Sequence, residues 1–159
     1  MDSGDNKLLV IGVAAGIAIV VAVLGAVLTD VGEWYVSLDK PAWQPPDWAF
    51  GPAWTLIFAA TATAGVLAWN TGQNRSLVLG AFGVNAILNV AWSALFFRLR
   101  RPDWALFEVL LLWLSVTVLI AVCGRLDSRA GWLLLLYLAW VSFAAVLNAA
   151  VVRRNRPFA

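Results

Sequence analysis

The sequence predicts an all-α integral membrane protein: a bundle of five transmembrane helices with one long structured loop after the first. Three observations carry this reading. The chain has 159 residues, 62% of them hydrophobic, and a mean hydropathy of +0.83, against roughly 45–50% apolar residues in a soluble domain. Its 11 basic and 9 acidic residues leave charge-free stretches at 8–29, 51–73, 76–97, 109–124 and 130–152. A hydrocarbon core about 30 Å thick needs roughly 20 helical residues. Four stretches are long enough as they stand, and 109–124 becomes so once Glu108 and the segment from Trp104 are added. The length fits one domain, residues 1–159.

The first helix is expected at about 7–29. Its flank, MDSGDNK, is net negative, its apolar run is long, and no small-residue cleavage site follows, so it reads as an uncleaved span rather than a signal peptide. Gly12-x-x-x-Gly16 and Ala22-x-x-x-Ala26 allow close helix approach. Packing within the bundle is the preferred reading of these residues, and of Gly80 and Gly83 in the third helix, with a dimer face as the alternative. A loop follows at 30–51, then helices at 52–70, 76–97, 103–124 and 130–152. In RRPDW, Pro102 and Asp103 suit the first turn of the fourth helix.

The loop WYVSLDKPAWQPPDWAFGPAW holds four of the ten tryptophans and four of the six prolines. Proline fixes φ and donates no hydrogen bond, so the segment cannot be one continuous helix. A stiff loop this long is usually functional. Trp34, Tyr35, Trp43, Trp48 and Phe50 favour burial, which suggests a rigid aromatic lid over the bundle mouth. A membrane-interface belt is the plainer alternative. The lid residues are Trp34, Trp43, Pro45, Pro46 and Trp48, with Trp54 entering the bundle just below.

Two helices carry polar stripes that lipid cannot satisfy. Asn85, Asn89, Trp92, Ser93 and Phe96 share one face of the third, and Tyr137, Trp140, Val141, Ala144 and Asn148 share one face of the fifth. They either line a pocket or serve as interhelical hydrogen-bond partners. Glu108, one turn inside its helix, is placed to reach the interface, with a functional role inside the bundle as the alternative.

Several classes are excluded. With no histidine, one cysteine and no paired carboxylates at mid-membrane, neither a metal site nor a histidine-ligated haem can be built. Cys123 alone forms no internal disulfide. No hydrolase triad, phosphate loop or cofactor fingerprint occurs. The calculated pI near 9.1 reflects basic residues flanking helices, not a nucleic-acid surface. Lys40, Arg98, Arg100, Arg101, Arg153, Arg154 and Arg156 fall on one side of the membrane; Lys7, Arg75, Arg125 and Arg129 fall on the other. The excess predicts a cytoplasmic first loop and carboxyl terminus, with the amino terminus opposite.

The loop resembles the signature of the tryptophan-rich sensory protein/translocator protein family (TspO/MBR, the peripheral-type benzodiazepine receptors), W-Y-x-x-L-x-K-P-x-W-x-P-P-x-W-x-F-x-P-x-W-T. Trp34, Tyr35, Leu38, Lys40, Pro41, Trp43, Pro45, Pro46, Trp48, Phe50, Pro52, Trp54 and Thr55 meet it. The likeness continues through NxxxNxxWSxLFF, ALFEVLLLW and YLAWVSFAAVLN. Leu136, where the family usually has proline, and Phe58, where it commonly has tyrosine, depart from the pattern. The resemblance implies a five-helix bundle, often a homodimer, whose cavity is closed by the first loop. It also implies binding of protoporphyrin IX, haem and other lipophiles at Tyr35, Trp54, Asn89, Trp92, Trp140 and Ala144, with no obligatory cofactor. Three functions are compatible with it. One is a tetrapyrrole receptor or sensor; another is a porphyrin or sterol transporter. The third is light- and oxygen-dependent porphyrin degradation, with Trp54 and Trp140 as catalytic candidates.

Overall fold

A computed structural model describes residues 3–158. The chain forms α1 (Ser3–Leu28), a short α2 (Glu33–Ser37), α3 (Phe50–Asn70), α4 (Arg75–Ser93), α5 (Pro102–Leu126) and α6 (Ser128–Asn155). All except α2 are long and apolar enough to cross a membrane, and no strand occurs among the described residues. This is the expected five-span helical bundle.

The element boundaries differ from the sequence reading in understandable ways. The segment 30–51 is not all loop, because it contains α2 and a 3₁₀ turn at Asp47–Ala49 that leads straight into α3. Helix α3 starts at Phe50, so Pro52 lies in its first turn, where a missing N–H costs nothing. Helix α6 runs on through Arg153 and Arg154, whose charges suit a helix C-terminus. Helix α4 stops at Ser93 and continues as a π-helical turn, Ala94–Arg98. The wider turn lets the consecutive Phe96 and Phe97 both turn inward, where both are buried.

Helices α5 and α6 form an antiparallel pair joined through Asp127 alone, whose carboxylate caps α6 by accepting from the Arg129 N–H at 2.9 Å. So short a link presses the backbones together: a Cβ placed on Gly131 would lie 3.0 Å from Gly124 Cα. Leu119, Cys123, Ala130 and Leu134 are fully buried around this contact.

The expectation that Gly12, Gly16, Gly80 and Gly83 pack within the bundle is overturned. A Cβ on any of them would meet nothing within 4 Å. Small residues matter only where backbones converge, and here they converge at Gly124 and Gly131. Helix α1 is peripheral, with only the stripe Val10, Ala14, Ala18, Val21, Ala22, Gly25 and Leu28 half-buried. It approaches α4 near the loop, where a Cβ on Gly25 would lie 3.9 Å from Ser93 Oγ.

Candidate ligand-binding site

The first loop is held by its own polar groups. Tyr35, buried on α2, donates its hydroxyl to Asp47 Oδ1 (3.1 Å), and Gln44 Nε2 donates to both Tyr35 Oη (3.3 Å) and Asp47 Oδ1 (3.4 Å). Lys40 Nζ sits 3.7 Å from the centre of the Tyr35 ring. Burial, reinforced by the Asp47 carboxylate, pushes the Tyr35 phenol from its ordinary value up to about 12. A second clip ties the loop to the end of α6. Asp39 N–H donates to Asn155 Oδ1 (2.8 Å), Asn155 Nδ2 donates back to the Asp39 carbonyl (2.9 Å), and Arg154 pairs with the Asp39 carboxylate at 3.2 Å.

Apolar contacts seat the same loop across the bundle end. Trp34 meets Phe96 edge-on at 6.2 Å, Tyr35 lies 5.6 Å from Phe97, and Trp43 packs at 5.9 Å on Phe143 of α6. The expected burial of all five loop aromatics fails at two. Trp43 is 50% and Trp48 75% exposed, and exposed indoles suit the membrane interface. Pro45 is half-buried and Pro46 exposed, ahead of the 3₁₀ turn.

Beneath the loop lies a layer of aromatic rings. Trp54 stacks on Phe58 at 5.4 Å and meets Tyr137 and Trp140 edge-on at 6.1 and 6.2 Å. Trp140 in turn contacts Phe50 and Phe143, each at 5.7 Å. The structure therefore brings Trp54 and Trp140 together. Trp92 packs against the same core, which holds Ile57, Tyr137 and Val141, and bridges it to the loop: it stacks on Phe96 at 5.2 Å and lies 6.0 Å from Phe97, a ring it shares with Tyr35. Asn89 joins the two stripes by donating to Tyr137 Oη at 2.9 Å. Ala144 is half-buried one turn beyond Trp140.

The remaining amides act as interhelical partners. Asn85 Nδ2 donates to Ser115 Oγ (2.9 Å). The Asn148 amide, turned to suit its neighbours, donates to the Pro102 carbonyl (3.0 Å) and accepts from Leu106 N–H (3.1 Å). Glu108 does not reach the interface: it is 7% exposed, with neither oxygen hydrogen-bonded. Its helix turns it toward the bundle, on the same face as Ser115 two turns on. Ser115, and the Trp113 Nε1 to Ser142 bond at 2.9 Å, escaped the sequence reading, because serines at these positions also occur as self-satisfied residues bonding their own helix.

An apolar cavity of about 760 Å³ runs between α1, α3 and α4. Phe58, Asn85 and Asn89 line its inner end, while Lys7, Asn70 and Arg75 stand at the end remote from the loop. Of the predicted ligand positions, Asn89 alone lines it. Phe58 connects cavity and aromatic layer, since its ring stacks on Trp54. Among the described residues no group of histidine, cysteine and carboxylate side chains could hold a metal ion.

Five spans, an apolar cavity between α1, α3 and α4 and a pinned aromatic loop define a small multi-pass membrane protein with a ligand-sized cleft among its helices. The chain belongs to the TspO/MBR family, whose model matches residues 13–154. It is 33% identical over 156 residues to the tryptophan-rich protein TspO of Chlorobaculum tepidum, covering 95% of this chain and 99% of that one. It is 39% identical over 127 residues to the tryptophan-rich protein TspO of Archaeoglobus fulgidus, covering 79% and 82%. The human translocator protein is 33% identical over 127 residues, covering 77% and 75%.

Proposed function

We propose that this protein is a membrane receptor or sensor that binds tetrapyrroles, protoporphyrin IX or haem, and other lipophilic molecules inside the bundle beneath its first loop. The observation that carries the proposal is the continuous layer Phe58–Trp54–Trp140–Phe143, which abuts an apolar cavity on one side and the pinned loop on the other. Flat aromatic walls suit a flat conjugated ligand, whose burial supplies affinity while a few polar groups orient it. Asn89, Trp92, Tyr35 and Ala144 are the further contacts of this reading. The tetrapyrrole is the ligand rather than a resident cofactor.

The basic residues near the loop and α6 end support a cytoplasmic first loop and carboxyl terminus, with the amino terminus opposite. A homodimer belongs to the same reading, as a family resemblance. Transport is the second reading, favoured by one observation: the cavity extends from Asn89 to the Lys7 and Arg75 end remote from the loop, along most of the length of the spans. Photo-oxidative degradation is the third, and it draws on the Trp54–Trp140 pair at 6.2 Å.

The test is a tryptophan-fluorescence titration with protoporphyrin IX, in detergent and in the dark, on wild type, Trp54→Phe and Trp140→Phe. Saturable quenching near one porphyrin per chain, weakened by either substitution, supports the site. Quenching that never saturates, or ignores both substitutions, rejects it. Illumination of the same samples then separates binding from degradation, which requires both indoles.

A further inference from the structure

The cavity has a shape and a charge that the tetrapyrrole reading leaves unused. Its lining runs along α1 from Asn6 to Val21 and along α4 from Arg75 to Asn89, about 22 Å at 1.5 Å per residue. That is most of the depth of a hydrocarbon core. Spreading about 760 Å³ over that length leaves a mean cross-section of about 35 Å². The cavity is a slot parallel to the helices, wide enough for one or two extended hydrocarbon chains and too long for a rigid disc to span.

Its chemistry is divided along its length. Between the ends the walls are almost wholly apolar: Val10, Val13, Ala14, Ile17 and Ala18 of α1 face Ala62, Gly65 and Val66 of α3 and Leu79 and Phe82 of α4, with Thr61 the one hydroxyl. At the outer end, where these spans leave the membrane, stand Lys7 and Arg75, with the Arg75 guanidinium 4.9 Å from the centre of the Trp69 ring. Among the described residues no carboxylate lines the cavity. Two cations over a long apolar slot match a molecule with an anionic head at the interface and a tail along the membrane normal.

We propose that this slot is a binding site for an anionic glycerophospholipid of the surrounding bilayer, its head group on Lys7 and Arg75 and one acyl chain between α1, α3 and α4. Basic pockets between transmembrane helices recognise anionic head groups in this way on the cytoplasmic face; here the basic pair lies on the face opposite the first loop. The peripheral packing of α1 is what opens the slot to the bilayer, and the chain terminus reaches Phe58 and Asn89.

Native mass spectrometry of the full-length protein tests this. Delipidated protein is offered equimolar phosphatidylglycerol and phosphatidylcholine with matched chains. Wild type retains phosphatidylglycerol preferentially, and K7Q/R75Q lowers that preference on the order of tenfold. Gly83→Leu, whose side chain enters open space in the slot wall, lowers retention of both lipids while the protein stays monodisperse. Equal retention of the two lipids by wild type, or a preference that survives K7Q/R75Q, overturns the proposal. Undiminished retention by Gly83→Leu overturns the placement of the chain.

Discussion

If the first loop is a lid, its stability depends on Asn155. Asn155→Ala removes the two reciprocal hydrogen bonds to the Asp39 backbone, at 2.8 and 2.9 Å. A hydrogen bond contributes about 0.5–1.5 kcal/mol net, and water replaces part of each here because the site is exposed. The pair is therefore worth about 1–2 kcal/mol, which raises the open population of the loop about 5- to 30-fold. Arg154→Ala removes only an ion pair whose side chains are 45% and 61% exposed, worth about 0–1 kcal/mol and less than about fivefold. Hydrogen exchange in detergent, read over residues 31–46 with the spans as internal reference, measures both. Asn155→Ala speeds loop exchange more than Arg154→Ala and leaves the spans unchanged. Equal effects, or no effect of Asn155→Ala, would refute the clip.

Three other predictions follow from single contacts. In a Tyr137→Phe background Tyr35 is the sole tyrosine, and its absorbance titration has a midpoint of about 12, which Asp47→Asn lowers. Because the folded value lies above the ordinary 10.0, the loop network is intact below pH 10 and is lost as pH rises through about 12; a midpoint at 10 contradicts the burial of the phenol. Gly131→Ala destabilises the bundle by about 1–3 kcal/mol through overpacking at Gly124, whereas Gly12→Ala is tolerated; chemical unfolding in mixed micelles ranks the two, and equal tolerance would contradict the α5–α6 contact. A double-mutant cycle of Asn89→Leu with Tyr137→Phe gives a coupling of about 0.6–1.7 kcal/mol; additivity would mean the 2.9 Å bond contributes nothing.

Much of the architecture was legible because membranes impose simple rules. Charge-free runs marked the spans, and the proline spacing in KPAWQPPDW marked a rigid loop. The two polar stripes were read as inward faces, and Asn89 joined to Tyr137 confirms the facing of α4 and α6. What escaped depends on distances between segments. Helix α1 is apolar on every side, so no periodicity revealed which stripe faces the bundle or that a slot lies beside it. The glycines of α1 and α4 have the spacing of a packing motif but no backbone opposite them, while Gly124 and Gly131 have no motif and meet. Asn155 carried no signal, since its partner Asp39 is 116 residues away. Trp92 belongs to a regular stripe, and the π turn at its end adds Phe96 and Phe97 to its neighbours, which no sequence period showed.

The most direct measurement is the rate at which bound protoporphyrin IX leaves the protein in the dark, by stopped-flow fluorescence, for wild type and Asn155→Ala. A ligand held beneath the loop leaves the variant faster by the same factor as its loop exchange rises, about 5- to 30-fold. Release that is unchanged while loop exchange accelerates would mean the ligand is not held beneath the loop.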